Sequence, residues 1–395
     1  MDFELTESQR MITNAAREIA TEFGPEYWRK KEEKHEFGSE FWKAICDAGF
    51  LGIVIPEEYG GSGNGATELF IAMENLCGYG CGMAGAWYLI LSEVFGGLSI
   101  LKHGTAEQKK KYLPALAKGD IEFCMALTEP NAGTNTLNIS TTARKEGNNW
   151  VINGNKTFIS GADRAQGMLI IARTSPCGSK GSKTSGLSLF LADLPNKAVE
   201  IEPIAKHAVN YSHSCTVTFN DLKLPESALM PPLDGGWHNV LDTLNPERMS
   251  FSALGVGIAN LAIRKAVEYA RERKVFNNVP IGSYQALQFP LAESYSCLEA
   301  ARLLNLRASV AYDTGKPSAE VGAAANMAKA IVVEHAIKAV YWAMQVFGGY
   351  GYAVEYDVER WWREINLIRL APVTQQMTLA YIGERVLGLP KSYQA

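Results

Sequence analysis

The stretch Phe123-Cys-Met-Ala-Leu-Thr-Glu-Pro-Asn-Ala-Gly-Thr-Asn135 constrains this chain more than any other. Its first residues have strand character and run into Glu129-Pro130, where proline cannot donate to a sheet ladder and turns the preceding residue away from helix. The strand must end in a tight loop. Thr128, Thr134 and Asn135 place hydroxyl and amide groups there, and Gly133 lets the main chain approach a ligand closely. A strand-end turn with no ligand would use the same residue types. Further on, residues 149–162 (NWVINGNKTFISGA) read as two strands joined at Asn153-Gly154, a strong hairpin signal. Phe158 and Ser160 are two apart and share a face of a regular strand, an arrangement that suits a planar, polar cofactor ring.

Around this centre the hydrophobic period changes twice. Thr6-x-x-Gln9 makes a capping box, followed by Ile12, Ala15, Ile19 and Phe23 at helical spacing up to Gly24-Pro25. Residues 29–34 (RKKEEK) carry mixed charge and read as solvated surface. Ser39 caps a second helix that stops at Gly49, and residues 50–61 read as a buried connector ended by Pro56 and Gly60-Gly61. Residues 68–101 are helix-rich with bulky Trp87, Tyr88, Leu91 and Phe95, and Thr105-x-x-Gln108 caps a helix ending near Gly119. From Phe123 to about Leu229 the pattern has period two, as in Leu187-Ser-Leu-Phe-Leu-Ala and Cys215-Thr-Val-Thr-Phe. Beyond Pro231-Pro232, residues 244–276, 286–314 and 318–348 read as long, Ala-rich helices of a bundle. The expected fold is α+β, with a helical domain at 1–122, a β domain at 123–232 and a helical bundle at 233–395.

A chain of 395 residues, 47% hydrophobic and 20% charged, can bury more than one core. Its net charge of -4 gives no electrostatic footprint for nucleic acid or an anionic membrane. The first residues lack the pattern of a leader, no run reads as a bilayer span, and the expected location is cytoplasmic. The seven cysteines are scattered without Cys-x-x-Cys, against a disulfide framework or zinc site. Lys180 and Lys183, in the low-complexity segment 175–186, could meet a nucleotide phosphate, although the composition favours a solvated loop.

Both central segments resemble the two flavin-contacting motifs of the acyl-CoA dehydrogenase family, approximately A-x-T-E-P-x-A-G-S-D and N-G-x-K-x-[WF]-I-[ST]; Thr134-Asn135 stands where Ser-Asp is usual. Pro56-Glu-Glu-Tyr-Gly-Gly61 is similar to a third signature, and Arg273-x-x-Phe276 resembles Arg-x-x-Phe-Gly with Asn277 in place of glycine. Gln345-Val-Phe-Gly-Gly-Tyr-Gly351 resembles Q-x-x-G-G-x-G. The motifs run in the family's order along nearly the whole chain. The resemblance implies FAD held by Met125, Leu127, Thr128, Thr134, Phe158 and Ser160, with Thr374 and Gln376 flanking it. It assigns Arg273, Phe276, Gln285, Gln345, Gly348 and Gly349 to the flavin of a neighbouring subunit in a homotetramer built as a pair of dimers. It also implies an acyl-CoA substrate, touched by Thr134 and Arg248, α,β-dehydrogenation to the 2-enoyl-CoA, and reoxidation by an electron-transfer flavoprotein. Flavin oxidases and monooxygenases, a desulfinase and non-enzymatic relatives share the same fold and stay as alternatives.

The chemistry needs a carboxylate to take the α proton. Many members carry it in a C-terminal Tyr-Glu-Gly-Thr segment, and counting from Arg363 without a gap puts Pro372 at that place. A minority, including isovaleryl-CoA and long-chain dehydrogenases, carries the glutamate on the first helix of the C-terminal domain, directly before an arginine. Leu244-Asn-Pro-Glu-Arg248 matches that pattern, making Glu247 the candidate base and Arg248 its neighbour. Read alone, Glu247 would simply complement the dipole of a helix start, since Pro246 suits a first turn. Glu364 is the competing carboxylate.

Overall fold

The computed structural model describes residues 4–178, 182 and 184–391; Lys180 and Lys183 lie outside them. Both capping boxes form. Thr6 Oγ1 accepts from Gln9 N at 3.2 Å while Gln9 Oε1 accepts from Thr6 N at 3.1 Å, opening α1 (Glu7–Glu22). The charged stretch after Gly24 is itself a helix, α2 (Pro25–Lys34), with Pro25 in its first turn, where the missing N–H costs nothing. Its single apolar anchor, Trp28, is fully buried against Phe41, Tyr88 and Tyr211. Gly38, and not Ser39, is the N-cap of α3 (Ser39–Asp47). The layer continues through α4 (Ala66–Leu76), α5 (Ala84–Leu89), α6 (Ser99–His103) and α7 (Ala106–Lys118), with Thr105 and Gln108 capping the last. Between α5 and α6 the chain widens into a π-helix over Ile90–Leu98. The stretch Ala84–His103 is long and apolar enough to cross a bilayer, contrary to the reading that no run is, but 94% of its apolar window is buried inside the protein.

The middle region is an eight-stranded sheet in the order β6-β7-β3-β2-β4-β5-β8, with β1 paired parallel to β4. The strands are β1 (Phe123–Ala126), β2 (Thr142–Glu146), β3 (Asn149–Ser160), β4 (Gly167–Arg173), β5 (Leu187–Asp193), β6 (Val199–Pro203), β7 (Ser214–Pro225) and β8 (Leu229–Met230). Alternation sends the two faces of β4 and β5 to different cores. Met168, Ile170, Phe190 and Ala192 join Trp150 and Phe219 inside the sheet, while Leu169, Ile171, Leu189 and Leu191 pack against the helices.

The expected hairpin at Asn153-Gly154 does not form. The turn comes earlier, at Gly147-Asn148, and β3 runs unbroken from Asn149 to Ser160. Asn153-Gly154 is instead a bulge against β7, where Asn153 and Asp221 exchange hydrogen bonds of 2.9 Å. Gly154 has φ 148°, and a Cβ there would meet Thr141 Oγ1 at 2.5 Å, so the residue serves close approach rather than chain reversal.

The C-terminal region packs α8 (Trp237–Glu272), α9 (Gln285–Asp313) and α10 (Ser318–Phe347) with the shorter α11 (Val358–Ile365), α12 (Leu367–Leu370) and α13 (Gln375–Tyr381). The expected first long helix, 244–276, in fact begins seven residues earlier and ends at Glu272. Pro246 thus lies inside a 36-residue helix.

One buried ion pair joins the two central motifs. Lys156 Nζ, on β3, donates to Glu129 Oε1 at 3.0 Å and to the carbonyls of Leu127 at 3.0 Å and Ile171 at 2.7 Å. Glu129 also accepts from Ser140 N, Ser140 Oγ and Thr141 N. Burial on its own would raise the Glu129 carboxyl, but Lys156 and these donors outweigh it and bring it down to about 2. A carboxylate with a depressed pKa contributes stability above its unfolded pKa of about 4.3, and that stability is lost as pH falls toward the folded value. Lys156→Met should cost on the order of 3 kcal/mol at neutral pH by urea denaturation, because it strands Glu129 in the interior. The same variant should also lose less stability than wild type when acidified below about pH 4.

Candidate active site

The loop after β1 and the end of β3 lie side by side, with Thr157 N donating to the Thr128 carbonyl at 2.9 Å. Phe158 has φ 58° and projects from an irregularity in the β3–β7 register between Lys156 and Ile159, so the regular alternation expected of Phe158 and Ser160 is broken there. Its ring is 63% exposed, unusual for a phenylalanine, while Ser160 is half-buried with Oγ 3.4 Å from Ser214 Oγ. Met125 and Thr128 are half-buried, Leu127 is buried, and Thr134 is exposed beside the open Gly133. An outward aromatic ring and hydroxyls at a strand end form a surface that fits a flavin ring.

The motifs of the C-terminal region gather elsewhere. Arg273 at the end of α8 and Gly348-Gly349 at the end of α10 line one cavity of about 560 Å³ with Tyr269, Phe347 and Tyr350. Gly348 has φ 59°, and a Cβ at Gly348 or Gly349 would meet only open space, so the main chain is bare to the cavity. Phe276 is 81% exposed, and Gln285 and Gln345 are exposed as well. An arginine fork beside bare backbone and aromatic rings fits the phosphate and adenine parts of a dinucleotide.

Glu247 sits in the third turn of α8, ten residues beyond Trp237, and so has no helix-start dipole to complement. It is buried, its Oε2 has no hydrogen-bond partner, and burial pushes its carboxyl up to about 8 against the opposing charges of Arg248 and Lys329. Arg248 donates through an Nη to Asn245 Oδ1 at 2.9 Å and leaves its Nε without a partner. One turn along the same side of α8, Phe251 meets Trp87 edge-to-face at 6.2 Å between centroids, and Trp87 Nε1 donates to Ser212 Oγ at 3.0 Å. Trp87, Leu91, Phe95 and Leu98 keep 7–8% exposure while Leu89 and Val94 keep none. Glu247 therefore lies one turn of α8 from an aromatic pair, Phe251 and Trp87.

The competitor, Glu364, is in a different situation. It is fully buried, with Oε1 taking Arg360 Nη1 at 2.9 Å and Oε2 taking Met83 N at 3.3 Å. Arg360 also pairs with Asp357, so both oxygens belong to a satisfied structural network. Around Pro372, Thr374 caps α13 by accepting from Met377 N at 3.3 Å, Gln376 is exposed, and the turn offers no carboxylate. Sequence reasoning passed over Phe251, Ser212 and Lys329 near Glu247, since none stands out by spacing alone.

Profiles of three domains match in order: the acyl-CoA dehydrogenase N-terminal domain at residues 6–120, its middle domain at 124–222 and its C-terminal domain at 234–387. The chain belongs to the acyl-CoA dehydrogenase family. It is similar to the acyl-CoA dehydrogenase FadE12 of Mycobacterium tuberculosis, with 37% identity over 98% of both chains. It is also similar to the 3-(aryl)acrylate reductase of Clostridium sporogenes, with 35% identity over 97% of this chain and 99% of that one. Among solved structures, an FAD complex of PigA superposes with a TM-score of 0.91 and 27% identity, covering 98% of this chain and all of that one. Acyl-CoA dehydrogenases are FAD-dependent oxidoreductases, and this chain has the family's three-domain fold. Glu364→Gln is expected to cost about 3 kcal/mol in urea denaturation, since it breaks a buried charge pair, and to leave FAD content and flavin reduction in the folded fraction near wild type.

Proposed function

We propose that the chain removes two hydrogens across Cα and Cβ of an acyl-CoA thioester, giving the 2-enoyl-CoA. The observation that carries this reading is the buried Glu247 carboxyl, unpartnered at Oε2 one turn from the Phe251–Trp87 aromatic pair, while the other buried candidate is consumed by Arg360. Glu247 takes the α proton, and Arg248 stands by it as a charge-setting neighbour that also meets the substrate. Trp87, Leu91 and Phe251 wall the acyl chain, and Thr134 contacts the substrate from the loop after β1. FAD, when bound, supplies the hydride acceptor for the β carbon. Phe158 and Ser160 orient its ring, with Met125, Leu127, Thr128, Thr134, Thr374 and Gln376 around it.

Arg273, Phe276, Gln285, Gln345, Gly348 and Gly349 hold the pyrophosphate and adenine of a second subunit's flavin. Their exposure on one chain is the reason to assign them across an interface, within a homotetramer made of two dimers. An electron-transfer flavoprotein is the proposed electron acceptor. The three functional regions correspond to domains at 1–122, 123–232 and 233–395. The reductase relative favours a second reading, in which the same groups run the reaction toward reduction of a 2-enoyl compound.

Anaerobic mixing with a panel of acyl-CoA thioesters tests the first reading: the flavin should bleach with at least one of them, and an unbleached flavin across a broad panel sinks it. Bleaching should accelerate as pH rises through about 8, where the Glu247 carboxyl ionises. Glu247→Gln should retain FAD and bind acyl-CoA yet slow flavin reduction by at least about a thousandfold, on the scale of losing a general base. Near-normal reduction in that variant would remove Glu247 from the mechanism. Arg273→Ala should lower FAD occupancy and weaken subunit association together, read by flavin absorbance and sedimentation. Loss of neither would return Arg273 to a surface role.

A further inference from the structure

A cavity of about 730 Å³ lies between α1 and α4 of the N-terminal layer and α8 and α9 of the C-terminal bundle. It shares no lining residue with the cavity at Arg273. Glu247 is also remote from it, since Arg264 in its wall stands roughly 25 Å farther along α8 by helical rise. Four arginines face the space: Arg17 from α1, Arg264 and Arg271 from α8, and Arg302 from α9. Arg264 and Arg271 are two turns apart and so share one face of α8. The carboxylates in the same wall are turned to other partners. Glu299 takes Arg302 at 3.1 Å, Glu74 lies 4.0 Å from the same guanidinium, and Glu268 takes Lys265 at 2.9 Å. Among the described residues Arg17, Arg264 and Arg271 make no ion pair.

Two of these three charges are held in place by neutral contacts. Arg17 Nε donates to Asn75 Oδ1 at 3.0 Å, and its guanidinium lies over the Tyr79 ring, 4.4 Å from the centroid. Arg264 lies over the same ring at 4.8 Å and donates through Nη2 to the Gly78 carbonyl. Cations from two separate parts of the fold thus converge on one exposed ring, which orients them without neutralising them. In a chain whose net charge is -4, three clustered arginines without a counter-ion are no by-product of composition. The remaining wall is uncharged and includes Val267, the exposed ring of Tyr295, and Asn260, whose Oδ1 has no hydrogen-bond partner.

We propose that this cavity binds a free nucleoside diphosphate, with the diphosphate between Arg17, Arg264 and Arg271 and the nucleoside against Tyr295 and Asn260. Guanidinium forks match phosphate oxygens in geometry, and three of them balance the charge of a diphosphate. The space is of the size that small ligands occupy. The Tyr295 ring offers a face for a base, and Asn260 Oδ1 an acceptor for a donor of the sugar or base. A ligand there bridges α1 and α8, so it braces the N-terminal layer against the bundle.

Calorimetric titration of the FAD-loaded protein with ADP tests the site. One ADP per chain should bind to the wild type, and its affinity should fall about tenfold or more in each of Arg17→Gln, Arg264→Gln and Arg271→Gln, since each variant removes a charge-assisted contact. Absence of binding to the wild type overturns the proposal. Binding unchanged in all three variants places the ADP in the acyl-CoA or flavin site and overturns it equally. FAD content should stay at the wild-type level; a loss of FAD in step with the loss of ADP affinity would assign these arginines to the flavin instead. Inorganic pyrophosphate should show the same pattern of losses but bind more weakly than ADP, and equal affinity would leave an anion site that ignores the nucleoside, against the proposal. If Arg17→Gln or Arg264→Gln does not fold, Arg271→Gln decides alone, because that exposed side chain makes no hydrogen bond or ion pair among the described residues.

Discussion

The pairing of Lys156 with Glu129 is the constraint on which the rest of the site depends. Each ion is costly to bury alone, and together they are tolerable only because every donor of the ammonium and both oxygens of the carboxylate find partners in β3, β4 and the loop between β1 and β2. Two of the three partners of Lys156 are the Leu127 carbonyl, which precedes Thr128, and Glu129, which follows it. The loop that presents Thr128 is therefore fixed on both sides by one side chain from β3, two residues before Phe158. Two segments far apart in sequence become one rigid surface, and the groups proposed to face the flavin inherit that rigidity.

The sheet carrying this surface has to face two ways. On β4 and β5 every position is buried except the last of each strand, with alternate side chains going to the sheet's own core and to the helices. The helical layer is thereby held against the sheet. Phe123, at the head of β1, fits where Gly96 and Gly167 leave room: a Cβ at either would lie 3.1 Å or less from its atoms. Part of the glycine content of the apolar helix thus has a packing cause, the close seating of β1. The same seating brings Leu91 within 3.1 Å of where a Cβ on Gly161 would be, next to Ser160. The Leu91 face of that helix and the end of β3 are consequently parts of one packed unit.

Features decided by a few neighbouring residues were legible in the sequence, and features decided by distant partners were not. The boxes at Thr6 and Thr105 are closed within four residues, and both form as read. Asn153-Gly154 carries the chemistry of a turn, yet β7 runs beside β3 for its whole length and imposes a bulge there, while Gly147, with φ 58°, makes the reversal. The α2 helix hides because Trp28 is its one deeply buried apolar side chain among charges, too few for a periodic stripe. The start of α8 was misplaced at Pro246, a residue whose usual place is a first turn. Residues before it, such as Val240 and Thr243, are helical because they bury against the N-terminal layer, which no local pattern announces. The candidate site residues were picked out by motif, and it is the resemblance, not the spacing of the motifs, that divides them between the chain's own flavin and a neighbouring subunit's.

Proline inside α8 bears directly on how Glu247 is held. Pro246 removes one helical hydrogen bond and would cost roughly 3 kcal/mol in an isolated helix, so packing on both sides must offset it. The side chains around it restore part of the lost order: Ser250 Oγ donates to the Pro246 carbonyl at 2.9 Å and Ser252 Oγ to that of Arg248 at 3.1 Å. Asn245 ties the same turn to α10 through Ser318, with Nδ2 3.1 Å from its Oγ, and to Arg248 through Oδ1. Glu247 thus stands on a turn whose backbone is secured by polar side chains, while its own carboxyl is left without such support. Nothing in the fold needs that carboxyl: it caps no helix and makes no ion pair within 4 Å among the described residues. A buried acid that makes no such contact is a cost to folding, and that cost is the physical reason for proposing Glu247 as the proton-transferring group.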